Sequence, residues 1–435
     1  MSDTQDATFI RRVVLKNYKS IRHCDVTLGP LTFIVGPNGC GKSNFLDALA
    51  FVSDAVEDGL DSAFRKRGGF AEVRRKGAED SDVEIELALR NEKNEQLANW
   101  RVRISPDGDG LYTVAEEEAA PVGHDGEGPH TVAQGKPAPL WGDGEALFGE
   151  IESGKGLAGA IMTAMANRLF VPRSYRVKNG ALCESPDSDA QLPVSPHDLY
   201  VRSWPFPMGT GILRALLSAA RCYAPYPNSM RANQPPDARP YLVPDGANVA
   251  SIVGRVPDDV RTRIVQSLRA VVPELVDVRR VAVGPAETLL FTLRQGGAED
   301  RDFWALSVSD GTLRALGMLV ALYHAGGSSV EEPPTMLVGI EEPETALHPA
   351  ALKVILDCMR EASQTRQVVV TTHSTDLLDD PDIPTEAILA AEMVNGETII
   401  GPVDDVGRQA LKERLFTPGE LLRMGQLAPK VGAAK

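Results

Sequence analysis

Gly36–Ser43 reads GPNGCGKS and completes the pattern G-x-x-x-x-G-K-[ST]. Glycines in such a run let backbone N–H groups wrap phosphate oxygens, and a helix starting behind them points its positive end at the same anion. On this pattern Gly36, Pro37, Asn38, Gly39, Cys40, Gly41 and Asn44 form the cradle. Lys42 reaches the β- and γ-phosphates, and Ser43 holds Mg2+. Cys40 reads as small-residue filler, with an oxidation switch as the alternative.

Three further stretches carry chemistry. TMLVGIEEPETALHP is an apolar run ending in Glu341 and Glu342. Carboxylates at a strand's C-terminal edge beside a phosphate loop can hold a metal and polarise a water, so Glu341 is assigned to the metal and Glu342 to the base. VVVTTHS delivers His373 in the same way, to bond a γ-phosphate or the attacking water; the bland alternatives are a surface strand end and a structural histidine. LSVSDGTLRALGML places Ser309-Asp310-Gly311-Thr312 before an apolar helical run, a second arrangement that suits phosphate.

The elements that must position these residues are legible in outline. FIRRVVLKNY alternates and LTFIV is a buried-type run, so strand, glycine loop and helix (NFLDALAFVSDAV) follow in the order a phosphate loop requires. Residues 83–115 read as a β-meander. Residues 107–152 are rich in carboxylates, with Lys136 their one cation, and are expected as a solvated insertion. Residues 155–222 alternate apolar helix-like runs with loops, and residues 223–246 are a proline-rich connector. VRRVAVG and TLLFTLR are strands, TMLVGI and QVVVTTH are buried strands, and AALKVILDCMREAS is a helix. The last part is helical, with Thr417 as N-cap and Pro418 at the first helical position.

The formal charge is −15, with 43% hydrophobic and 24% charged residues. That excludes a generically basic nucleic-acid binder. No apolar run approaches the roughly 20 residues of a membrane helix, and no signal core opens the chain, so a cytoplasmic location is expected. Five scattered cysteines argue against a disulfide framework. One local basic run stands out, with Arg65, Lys66, Arg67, Arg74, Arg75 and Lys76. It is either a loop balancing nearby carboxylates, a nucleic-acid backbone contact, or a protein-partner surface.

Phosphate loop, S-x-G before a helix, acidic strand, EPETALHP and histidine strand occur in the order found in ABC-type ATPases. The chain resembles the RecF/OLD-like branch, AAA family ATPases related to SMC proteins. LKNYKSI and DGANVASIV add to the resemblance. It implies an α/β fold, a P-loop ABC-type ATPase head with an antiparallel β lobe and an inserted helical signature lobe. The implied division is residues 1–155 for the P-loop lobe with meander and acidic insertion, 156–320 for the helical lobe ending in the signature, and 321–435 for the C-terminal part of the core. Ser309 and Gly311 would be the signature that caps the γ-phosphate held by an opposing subunit, with Arg314 bonding across the interface and Ala346, Leu347 and His348 in the turn that crosses between subunits. A homodimer or higher oligomer binding ATP and Mg2+ is implied, acting as a switch for a separate effector such as a nuclease or toxin, in anti-phage defence or DNA maintenance. A nearly non-hydrolysing scaffold and a RecF-like repair ATPase are the alternatives. The chain departs from the family at Glu341, where most members carry Asp, and at Asp310, where the usual residue is Gly. Both departures point to slow hydrolysis. The lobe-linking glutamine is assigned to neither Gln96 nor Gln134. No long coiled coil and no Toprim nuclease domain are legible.

Overall fold

The computed structural model describes residues 9–90, 96–108, 110–121, 175–179, 181–184, 195–203, 208–295, 299–327 and 333–430. Its strands are β1 (Ile10–Tyr18), β2 (Ile21–Thr27), β3 (Leu31–Val35), β4 (Val83–Arg90), β5 (Gln96–Pro106), β6 (Tyr112–Pro121), β7 (Tyr175–Lys178), β8 (Ala181–Glu184), β9 (Ala220–Tyr223), β10 (Leu275–Val283), β11 (Ala286–Gln295), β12 (Glu299–Trp304), β13 (Leu337–Glu341), β14 (Gln367–Thr372), β15 (Ile388–Val394) and β16 (Glu397–Pro402). The helices that position the site are α1 (Lys42–Asp58), α2 (Pro227–Arg231), α3 (Asp310–Tyr323) and α4 (Pro349–Ala362).

One large sheet runs β8-β7-β6-β5-β4-β1-β2-β16-β15-β3-β14-β13-β9, and a small one runs β10-β11-β12. The first seven strands of the large sheet form an antiparallel wing. At its other end β15, β3, β14, β13 and β9 are parallel neighbours. The fold is therefore α/β with an antiparallel β lobe, as the resemblance implies.

The central parallel strands β3, β13 and β14 are mostly apolar and almost wholly buried because both faces are covered. Successive side chains alternate between those faces. Ile34, Val369 and Leu337 join the core that contains α1 and the wing; Phe33, Val35, Val368, Val370, Val338 and Ile340 join the core of α3, α4 and the small sheet. α3 is buried from Thr312 to Tyr323, which explains a run apolar on every side.

The structure corrects the reading of the middle of the chain. Residues 112–115, read as the last strand of the meander, continue through 116–121 of the expected solvated insertion as β6. Glu117 at its centre is fully buried. Its carboxylate accepts from Trp100 Nε1 at 3.1 Å, the Tyr175 hydroxyl at 2.7 Å and Val201 N at 3.2 Å, and also from Tyr200 N at the start of a short helix. Its neighbours Glu116 and Glu118 are balanced by Arg101, Arg103, Arg176 and Lys178. The charge of this stretch reads as a solvated loop only when the facing strands are unknown. Within the expected unit 156–320, the strands read at VRRVAVG and TLLFTLR lie in β10 and β11, while β7 and β8 extend the wing and β9 closes the parallel sheet. The rest of the acidic stretch, Lys136, Gln134 and the apolar runs of 155–174 lie outside the described residues. Near the C-terminus Thr417 caps the helix Pro418–Arg423 with a capping box to Glu420, as its sequence signature predicts.

Replacing Glu117 by Leu leaves four buried donors without an acceptor. The loss of unfolding free energy should be on the order of 3 kcal/mol, read from urea melts. An unchanged midpoint would show that these donors find water or other partners.

Candidate functional site

The loop between β3 and α1 is built by its glycines and its neighbours. Gly41 sits at φ 94° as the N-cap of α1. A side chain there would come within 2.1 Å of Thr398 Oγ1, so strain and space both exclude one. Lys42 is only 4% exposed and donates to the carbonyls of Gly36 and Pro37 at 2.9 and 3.0 Å. Pro37, Asn38, Gly39 and Ser43 are exposed, and Cys40 is buried. Burial pushes the Cys40 thiol up, away from the reactive thiolate, so packing is its role. In the first turn of α1 the Asn44 amide donates to Ser20 Oγ at 2.6 Å, which in turn bonds Thr398 Oγ1 at 2.6 Å.

β13 and β14 deliver the acidic and imidazole groups. Register places Thr372 opposite Val35 and Glu341 opposite Thr371, so the C-terminal ends of β3, β14 and β13 are level. Burial lifts the Glu341 carboxyl above its usual range; Ser43 bonds to it and lowers it, while Asp47 and Glu342 add to the rise. A serine hydroxyl beside a half-buried carboxylate among like charges is an oxygen donor set that a divalent cation satisfies. Glu342 adopts φ 44°, a left-handed backbone that non-glycine residues seldom take, and its N–H donates to Thr371 O at 2.9 Å. His373 Nδ1 stands 3.5 Å from Glu342 Oε1 and 3.2 Å from Glu344 Oε1. Glu344 also accepts from Thr372 Oγ1 at 2.8 Å and His373 N at 2.9 Å. Sequence reading passed over Glu344. Its spacing, two residues after Glu342 in EEPE, was the available signal.

Ser309 is the N-cap of α3, accepting from Thr312 N at 3.2 Å. Gly311 lacks room for a side chain, since a Cβ would meet Ala346 O at 2.6 Å. Its glycine thus serves packing of α3 onto the turn after β13 in the same chain. In that turn Ala346 has φ 63°, Leu347 packs partly into the core, and His348 caps α4 by accepting from Ala350 N at 3.2 Å. Asp310 is ion-paired with Arg231 of α2, so the negative charge expected at a phosphate is countered.

Arg314 is corrected. It was expected to reach across an interface, but it is 9% exposed and engaged within its own chain. Its guanidinium donates to Pro225 O at 3.2 Å and to Glu341 O and Glu342 O at 3.0 Å each. The basic run is also engaged internally. Lys66 pairs with Asp54 at 2.5 Å and Asp58 at 2.8 Å, Arg67 with Asp47 and Asp54 at 2.8 Å, Arg75 with Glu397 at 3.2 Å and Lys76 with Glu72 at 2.6 Å. Arg74 stacks on Phe70 and donates to Glu79 O, and Arg65 Nε donates to Asp61 O at 3.3 Å. Of the three readings of this run, the loop that balances nearby carboxylates fits. Gln96 begins β5 at its pairing with Arg90. That end of the wing lies opposite the β1–β2 turn, which approaches the phosphate loop through Ile21 and Thr398, so Gln96 does not link lobes at the site.

Comparisons with known proteins bear on the fold and the family. A family model described as "AAA domain, putative AbiEii toxin, Type IV TA system" matches residues 210–379, and a second, "AAA domain", matches residues 12–123. The OLD nuclease of Thermus scotoductus is 43% identical over 53 residues, 12% of this chain and 10% of that protein. The match therefore spans about a tenth of the curated relative. Among solved structures, an SMC head bound to the C-winged helix domain of ScpA is similar, with TM-score 0.50 and 15% identity, covering 93% of this chain and 100% of that one. At that identity the likeness is one of fold, and the fold is that of an SMC head, an ABC-type ATPase domain. Together these matches support an SMC/RecF/OLD-like ATPase.

Arg314→Ala should lower the unfolding free energy by on the order of 3 kcal/mol, since three carbonyl acceptors lose a charged donor. Denaturant melts check this, and a variant as stable as wild type contradicts the clamp.

Proposed function

We propose that this protein binds and hydrolyses ATP as a switch, with two copies closing head-to-tail on two nucleotides and reopening after hydrolysis. One observation carries the reading. Lys42, Ser43, Glu341, Glu342 and His373 come together at the level C-terminal ends of three adjacent parallel strands, while a further phosphate-type turn, Ser309–Thr312, starts a helix of its own.

Lys42 exchanges its bonds to the Gly36 and Pro37 carbonyls for β- and γ-phosphate oxygens. Ser43 and Glu341 would hold Mg2+, which would neutralise charge on the phosphates. Glu342 accepts a proton from water as the water oxygen bonds to the γ-phosphorus and the bond to the β–γ bridging oxygen breaks, giving ADP and phosphate. His373, beside Glu342, orients the water or bonds the γ-phosphate. The Ser309 turn of the second copy caps that phosphate, so loss of phosphate removes what holds the copies together.

The switch is proposed to control a separate effector, a nuclease or toxin, in anti-phage defence. The supporting observations are the AbiEii-type family match and the OLD stretch. The related SMC head is itself bound to a domain of another protein, ScpA. Among the described residues no helix is long and apolar enough to cross a membrane. The scaffold alternative drew on Asp310 and Glu341. With Asp310 paired to Arg231, only Glu341 still favours it. The basic run lends a DNA-repair role little support, since Lys66, Arg67, Arg75 and Lys76 are ion-paired within the chain.

Lys42→Ala should abolish ATP binding measured by equilibrium dialysis; unchanged affinity would remove the phosphate-loop assignment. Glu342→Gln should bind ATP, turn over about 100-fold more slowly or worse, and accumulate as a closed dimer in sedimentation. Equal and negligible turnover in wild type and Glu342→Gln, with ATP still driving association, would favour the scaffold. Ser309→Arg should bind ATP normally and stay monomeric; a variant that still associates with ATP defeats the capping role.

A further inference from the structure

We propose that Arg231 is a further catalytic residue of this site, carried beside the Ser309 turn and acting on the γ-phosphate held by a second copy, with Asp310 as its resting partner. This rests on the two-copy reading above.

Arg231 closes α2. Its Nη2 pairs with Asp310 and lies 3.4 Å from Val308 O, and its Nη1 donates to Asn228 Oδ1 at 2.8 Å. Its buried Nε has no partner. The side chain is 23% exposed and that of Asp310 59%, so the pair sits at the surface beside the Ser309 cap. α2 and α3 are packed as one body. A side chain on Gly317 of α3 would come within 2.7 Å of Pro225 Cβ and 3.1 Å of Met230 Cε. Wherever α3 presents Ser309 and Gly311, Arg231 is presented with them.

Asp310 suits the first turn of a helix, where a negative charge faces the positive end of the helix dipole. The same charge repels an incoming phosphate. Arg231 cancels it at rest. A γ-phosphate carries more negative charge than a carboxylate and offers oxygens that match the guanidinium fork, so it can take the arginine from Asp310. Arg231 then neutralises charge on the γ-phosphate oxygens during hydrolysis, and adds no proton or bond of its own. Asp310 becomes the holder of an arginine in waiting, which explains an acidic residue in a phosphate-type turn.

The test mixes inactive chains. Arg231→Ala should bind ATP as wild type does and lose turnover by about 100-fold or more. Mixed with Lys42→Ala, it should recover turnover, because the Lys42→Ala copy supplies Arg231 to the intact phosphate loop of the other. Arg231→Lys, which keeps the pair with Asp310, should still lose turnover about 10-fold, since an ammonium lacks the fork. Adding Asp310→Asn to Arg231→Ala should restore nothing. Wild-type turnover in that double variant, or in Arg231→Lys, would reduce Arg231 to a charge balance and overturn the inference. So would a mixture that stays silent while wild-type chains associate with ATP. Wild-type chains that fail to associate would instead defeat the two-copy reading beneath it.

Discussion

The register of β3, β14 and β13 is the constraint on which everything at the site depends. Each is a short run with side chains buried on both faces, so none of the three can slip by one residue without exchanging its two cores. With Val35, Thr372 and Glu341 held near one level, the phosphate loop, His373 and the two carboxylates must emerge together. Open parallel sheets place ligands outside the carboxyl ends of their strands for this reason. The antiparallel wing then buttresses α1 from the side, and the Asn44–Ser20–Thr398 hydrogen bonds tie the wing's turn to the start of α1.

Arg314 links that edge to the rest of the molecule. It rises from the first turns of α3 and bonds the carbonyls of Glu341, Glu342 and Pro225. Burial lowers its pKa, and the nearby Glu342, Glu344 and Glu341 charges offset that cost. Glu342 in turn keeps a left-handed backbone worth roughly 1 kcal/mol or more of strain. The strain is sustained because Arg314 and Thr371 both hold the same short segment. A displacement of α3 must therefore pull on the backbone of the carboxylate proposed as the base. Ser309 at one end of the helix and Glu342 at its flank belong to one mechanical unit.

Much of this was legible in the sequence. The strands that lead into GPNGCGKS, Glu341–Glu342 and His373 lie where their apolar runs place them, because short runs of buried residues announce their strands. What sequence reading missed depends on partners distant along the chain. Glu117 looks like solvent-facing charge until Trp100, Tyr175 and Tyr200 are folded around it. Arg314 has helical spacing that suits an outward reach, and only the approach of β13 reveals three carbonyls waiting for it. Asp310 appeared as an uncompensated charge because Arg231 lies 79 residues away in an irregular, proline-rich connector. The basic run is similar: its acidic partners Asp47, Asp54 and Asp58 lie on α1 and Glu397 on β16, elements that a local count of charge does not include.

The central claim is that each chain carries half of two nucleotide sites and completes neither alone. Sedimentation of the wild-type chain with a non-hydrolysable ATP analogue, with bound nucleotide counted in the same boundary, tests it most directly. The account predicts a dimer holding two nucleotides with the analogue and a monomer with ADP. A monomer that binds the analogue and stays monomeric, or a dimer indifferent to nucleotide, would contradict it.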